Sequence, residues 1–259
     1  MGSSTPRPSR YRGREIAADR IDVRASDAHD ALRLWWLPLA AGLLPAGGTV
    51  IAFYLAVAQG QFPSCNPLLD GCVSISRAGR HDLPNIVFRA LLLPGATLQG
   101  VVWLLTRAWL GSLGAPPDRL LRLLPWVGVT AALFLVLYGT FLGTEGPGYQ
   151  WTRRYGVVVY FGFTCIAMLI VGGALQRVAA AAGRLRHSSV VLFLLVAALP
   201  VLGLVNSTSP LFLQGEAARD ALGNATEWWG ALVFTVFFVL LARLWHATRL
   251  SARLGARAG

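Results

Sequence analysis

The stretch YGVVVYFGFTCIAMLIVGGAL, residues 155–175, decides the fold. Its 21 residues carry no charge, and Arg153, Arg154 and Arg177 bracket it. A helix needs about 20 mostly apolar residues to cross the hydrocarbon core of a bilayer, where its backbone must satisfy its own hydrogen bonds. This run meets both conditions, and a helix that is apolar on every side has no place on the surface of a soluble domain. Five further runs read the same way: Leu32 to Ala58, Ile86 to Leu110, Leu120 to Leu142, Val190 to Val205, and Trp228 to Trp245. The expected fold is all-α, a polytopic membrane helix bundle with six transmembrane helices. Val190 to Val205 is the shortest run. Without it, five spans would put the two termini on opposite sides.

Composition agrees. The chain is 55% hydrophobic and 14% charged, whereas a soluble domain carries about 25% charged residues. All 23 basic residues are arginine, the composition expected of a GC-rich, bacterial genome. A net charge of +11 would suit nucleic-acid binding. The arginines stand at the ends of apolar runs, however, where membrane topology accounts for them, and no nucleic-acid partner is expected. The N-terminal tail, the segments near 107–122 and 177–186, and the C-terminal tail hold 17 arginines. The other side holds six: Arg77, Arg80, Arg89, Arg153, Arg154 and Arg219. The positive-inside rule then places both termini in the cytoplasm (N-in, C-in) and the first loop outside.

The domain reading follows: residues 1–31 as a flexible basic cytoplasmic tail, 32–247 as the six-span domain, 248–259 as a second basic tail, in a multi-pass protein of the cell (plasma) membrane. The first thirty residues lack an apolar signal core, and Pro6 breaks the myristoylation pattern, so neither a cleaved leader nor an N-terminal lipid is expected. Trp35, Trp36, Trp109, Trp151, Trp228 and Trp229 fall near run ends, as an interfacial belt would. Pro38, Pro45, Pro94, Pro125 and Pro200 interrupt spans. Each removes a backbone hydrogen bond, which a neighbouring helix has to make good, and they fit either packing or a hinge or cavity.

The first outer loop, Gln59 to Asn85, is the most informative. Cys65 and Cys72 would close a small disulfide loop in an oxidising compartment, with Asn66, Pro67, Asp70 and Gly71 as turn formers. A zinc site would be short of ligands with two cysteines and His81, and no metal or cofactor is expected. Cys165 reads as a small buried packing residue. Arg77, Arg80 and Arg89, with Glu145, Arg153 and Glu227, fit two readings: ion pairs that pin helix ends, or a pocket for a lipid headgroup, because arginine forks match phosphate oxygens. Asp82 and Pro84 mark a helix start, and Asn224 to Glu227 has capping-box spacing. The outer segments Gly143 to Arg154 and Asn206 to Glu227 read as loops, the latter with acceptor patterns for glycosylation at Asn206 and Asn224. Known catalytic signatures are missing. His81, Asp82 and Glu227 are the only acid–base candidates.

Ile75-Ser76-x-x-Gly79, then Pro84 and Phe88, then Gly95-Ala96 resembles the first outer loop and second span of the FRAG/DRAM/SFK family, which includes damage-regulated autophagy modulators and GPI-anchor lipid-remodelling proteins with a CWH-type N-terminal domain. Glu227-Trp228, followed by Phe234, Phe237 and Phe238, is a second match. Two positions depart from the family pattern: Leu83-Pro84-Asn85 stands where an acidic residue is common, and Gln150 to Tyr155 where many members carry a histidine. The resemblance implies a six-span protein concerned with lipids. Its expected partners are membrane lipids, anionic phospholipid among them; no protein partner is indicated. The competing expectations are an outer-leaflet acyltransferase or lipase-like enzyme and a small-solute transporter.

Overall fold

The structure is a computed structural model that describes residues 31–182 and 186–253. Residues 1–30 and 254–259, which include most of the two expected tails, lie outside the described residues. Seven helices follow in order: α1 (Trp36–Ala58), the short α2 (Ile75–Ala78), α3 (Asp82–Ser112), α4 (Arg119–Phe141), α5 (Pro147–Ala182), α6 (Arg186–Phe212) and α7 (Glu216–Ala247). All except α2 are long and apolar enough to cross a membrane. The protein is thus a six-span membrane bundle, as the apolar runs require.

The helices outlast the apolar runs. α5 begins at Pro147 and α7 at Glu216, so the loops read from the sequence over 143–154 and 206–227 shrink to short turns. A helix need not stop where hydrocarbon does: Gly148 to Thr152 and Glu216 to Gly223 continue the backbone ladder with polar side chains. α3 does start at Asp82, with Pro84 in its first turn, as its sequence signal indicates. α4 starts at Asp118, whose Oδ1 accepts the Leu121 N–H at 2.7 Å while Oδ2 pairs with Arg177 of α5 at 2.9 Å. One carboxylate therefore caps one helix and ties it to the end of the next.

The spans close into a ring. α1 packs on α3, α3 on α4, α4 on α5, α5 on α6, α6 on α7, and α7 back on α1. With lipid outside, close approach depends on small residues rather than on a hydrophobic drive between helices. Gly95 of α3 lies under Pro45 of α1, where an added Cβ would come 2.5 Å from the proline Cδ. Pro45 removes the N–H that would otherwise bond the Ala41 carbonyl four residues back. Gln99 of α3 fills that gap, its Nε2 donating to the Ala41 oxygen at 3.1 Å. The proline, the glycine and the glutamine together make the α1–α3 seam.

α6 is the least enclosed span, with 17% of its apolar window buried against 50% in α7. Cys165, on α5, is only partly buried, because its side of that helix is not fully covered. Trp109 and Trp228 are buried inside the bundle and not in an interfacial belt. Each has an indole N–H to satisfy, and each does so internally: Trp109 donates to Thr248 Oγ1 and Trp228 to the Val73 carbonyl.

At the terminal end of the bundle, β1 (Ala31–Arg33) and β2 (Ser251–Arg253) form an antiparallel pair with Leu32 opposite Ala252. The Leu34 N–H extends the ladder to the Leu250 carbonyl. The two ends of the described chain are therefore fastened to each other.

Candidate functional site

At the opposite end lies the loop between α1 and α3. Cys65 and Cys72 form a disulfide, with their Cα atoms 6.6 Å apart. Inside that loop the Asp70 carboxylate accepts the Asn66 N–H at 2.8 Å and Asn66 Oδ1 accepts the Leu68 N–H at 3.1 Å, a turn stabilised by short polar side chains. Gly71 has φ +57° and sits against the Ala221 carbonyl of α7. Both the backbone angle and the approach require a residue without Cβ. Ser74 then caps α2 by accepting the Arg77 N–H, and Gly79 ends it beneath Phe88.

This loop is bolted to one face of α7. Asn224 Nδ2 donates to the Gly71 carbonyl at 2.8 Å, Trp228 Nε1 to Val73 at 2.9 Å and Trp229 Nε1 to Leu68 at 3.0 Å. The Glu227 carboxylate lies close to the backbone N–H groups of Ile75 and Ser76. Residues three and four apart on a helix share a face, so Asn224, Glu227 and Trp228 form one stripe of α7, and Trp229 reaches the loop from the adjoining side. The capping-box reading of Asn224 and Glu227 is thus corrected. Both lie well inside α7, whose N-cap is Gly215, and they bond the loop rather than their own helix end. Asn224, with its amide engaged and partly buried, is no open acceptor for a glycan. On the other flank, Asn85 Nδ2 donates to the Gly79 and Leu142 carbonyls at 2.9 and 3.1 Å, pinning the α2–α3 junction to the end of α4.

Under the loop the spans part around a cavity of about 490 Å³. α1 contributes Pro45, Thr49, Phe53 and Tyr54, and the loop contributes Cys65, Pro67 and Leu68. Phe88 and Leu92 come from α3, and Leu135 and Tyr138 from α4. Val157, Tyr160 and Phe161 line it from α5, and Glu227, Trp228, Ala231, Leu232, Phe234 and Thr235 from α7. Rings gather in two groups. Phe53 meets Trp228 edge-on at 5.6 Å, and Tyr160, Phe161 and Phe234 contact one another at 5.0 to 5.6 Å between centroids. Tyr160 is also next to Gln99 and Thr164, so the floor of the cavity continues into the polar seam at Pro45.

Of the residues expected from the sequence to bind a headgroup, to act as acid or base or to form the disulfide, Glu227 and Cys65 line this cavity and the others do not. His81 and Asp82 are exposed at the start of α3, Asp82 within 3.5 Å of Gln61. Arg77 is exposed and lies over the Phe62 ring at 5.9 Å. Arg80 and Arg89 are half-buried, and Arg80 Nε is a buried donor without a partner. Glu145 is exposed in the turn before α5. The Arg153 side chain lies outside the described residues. The ion pair present among the described residues is Arg177 with Asp118, at the far end of the bundle. Arg77, Arg80 and Arg89 are therefore not held in salt bridges to Asp82, Glu145 or Glu227.

A six-span bundle with a disulfide-closed loop clamped over an aromatic cavity defines the class: a multi-pass membrane protein with a ligand-sized chamber at one end. The family model described as the Frag1/DRAM/Sfk1/Cwh43P N-terminal domain matches residues 33–243, and the chain belongs to that family. No curated protein and no solved structure matches it. The two short stretches that carry the resemblance, around Ile75–Gly79 and at Glu227–Trp228, are the two that hydrogen-bond to each other. Separate in sequence, they form one contact in the fold.

Proposed function

We propose that this protein binds and organises membrane lipid, with an apolar chain entering the cavity and the nearby arginines meeting a phosphate. The cavity itself carries the reading. Its volume of about 490 Å³ falls in the range of roughly 300 to 1,000 Å³ that small-molecule sites occupy, and its walls are mostly apolar. Arg80 and Arg89 support the headgroup part, since half-buried guanidinium groups outside salt bridges are free to bind phosphate oxygens. Arg77, Glu145 and Arg153 complete the proposed rim. The arginine distribution supports an orientation with the termini in the cytoplasm and the disulfide loop outside the cell membrane.

Two alternatives have less support. Of the three acid–base candidates only Glu227 lies on the cavity, so no acid–base pair faces a common substrate. A solute path would need a polar route, whereas Trp103, Phe237, Phe238 and Trp245 fill the other half of the bundle and are under 2% exposed.

Native mass spectrometry tests the proposal. Wild-type protein released from membranes containing anionic phospholipid is expected to retain lipid. Ala231→Trp, which fills the cavity, is expected to lose it, and Arg80→Ala with Arg89→Ala to retain less of the anionic species. Equal lipid in wild type and Ala231→Trp would overturn the reading.

A further inference from the structure

The cavity's own charge is opposite to that of its rim. Glu227 is the sole charged side chain among the described residues that line it, and no arginine or histidine does. We infer that the cavity takes an organic ammonium ion carried on an apolar body, with Glu227 as counter-ion and the surrounding rings as its cage. The inference rests on the cavity being a ligand site, as proposed above, and assigns the group that enters it.

The chemistry runs as follows. An ionised carboxylate offers about four acceptor positions, more than the neighbouring Ile75 and Ser76 N–H groups could occupy. The remaining capacity faces a chamber whose other walls are apolar. A carboxylate in such surroundings is costly unless a cation pairs with it. An anionic group would be repelled, and beside a neutral chain the carboxyl would lose its charge by taking up a proton, whereas a cation pairs with the ionised form.

A metal ion is a poor alternative, because no group of three or more ligating side chains exists among the described residues. Ammonium is favoured over a small inorganic ion by the rings. Tyr54, Trp228, Tyr160, Phe161 and Phe234 present aromatic surface to the cavity, and the face of a ring attracts a cation within about 6 Å of its centroid. Quaternary ammonium groups bind in such aromatic cages, and the apolar remainder of the wall accommodates the attached chain. A lipid amine headgroup and a free amphiphilic amine share this chemistry.

The experiment uses the full chain in an uncharged maltoside detergent, with the midpoint of thermal unfolding as readout. The probes are decyltrimethylammonium, decyl sulfate, decanol and, as the lipid source, a lysophosphatidylcholine. Glu227→Gln keeps an oxygen that accepts the loop N–H groups but removes the charge. Wild type is expected to be stabilised by decyltrimethylammonium, with apparent affinity at least tenfold weaker in Glu227→Gln and little response to decyl sulfate in either. Stabilisation by lysophosphatidylcholine that also needs Glu227 assigns the site to a lipid headgroup; a response to decyltrimethylammonium alone assigns it to a free amine.

Should Glu227→Gln not fold, Phe161→Leu carries the test. Losing one ring face weakens the ammonium probe about three- to tenfold while decanol is unaffected. Equal affinity for decyltrimethylammonium in wild type and variant, or a wild-type response to decyl sulfate as large as that to decyltrimethylammonium, overturns the inference. If decanol still responds to Ala231→Trp in that case, the cavity remains a chain site and only the ammonium assignment falls. If no probe responds to Ala231→Trp, the lipid reading falls with it.

Discussion

The two ends of this bundle are held by different forces. At the terminal end, Trp103, Trp109, Trp245, Phe237 and Phe238 are each under 2% exposed, with Trp103 5.8 and 5.5 Å from the two phenylalanine rings. A β-ladder seals the chain ends below them. At the disulfide end the helices stand apart, and what spans the gap is a covalent bridge and directional hydrogen bonds from Asn224, Trp228, Trp229 and Asn85 to loop carbonyls. Dense packing resists deformation because any shift forfeits many small contacts. A clamp of few bonds can open locally while the remainder stays folded. The end with the cavity is thus the end that can yield.

Three variants would break or sharpen this contrast. Trp103→Ala has the largest expected effect, about 3 to 5 kcal/mol lost from global stability, measured by reversible unfolding in detergent. Lipid retained per folded molecule is expected to stay unchanged. Removing the bridge with Cys65→Ser and Cys72→Ser comes next, at about 2 kcal/mol. Hydrogen exchange is expected to accelerate across residues 59–81 and not in the terminal halves of α3 and α7. Equal acceleration at both ends would mean that they are one cooperative unit. Trp228→Phe has the smallest effect, about 1 to 2 kcal/mol, from leaving the Val73 carbonyl buried without its donor. Exchange confined to residues 71–79 is the expected signature.

Much of the fold was readable because hydrocarbon imposes a simple rule: length and apolarity alone identify a span. Leu120 to Leu142 maps closely onto α4, and Asp82 with Pro84 marks the true start of α3. Cys65 and Cys72 were legible through their spacing and turn residues. Helix ends beyond the bilayer were not. Glu216 to Glu227 is polar, and polarity reads as loop when nothing in the local sequence reveals that the helix continues in water. Asn224 and Glu227 show a deeper ambiguity. Their i, i+3 spacing suits a capping box and suits equally one stripe of a helix facing a partner, and only the loop's position decides between them. The cavity was invisible for the same reason: its walls come from five spans and a loop, and no local pattern records who meets whom. The signal that might have revealed it was the pair of short stretches shared with one family, since residues that bond to each other are constrained together.

Gly71 and the loop around it leave the ribosome soon after α1, yet the face of α7 that receives them is made after the other five described spans. Throughout insertion the bridge between Cys65 and Cys72 has a chance to form while its dock does not exist. The chamber is consequently completed only once α7 is in place, and a chain truncated before Asn224 would insert most of the described spans yet never close the cavity.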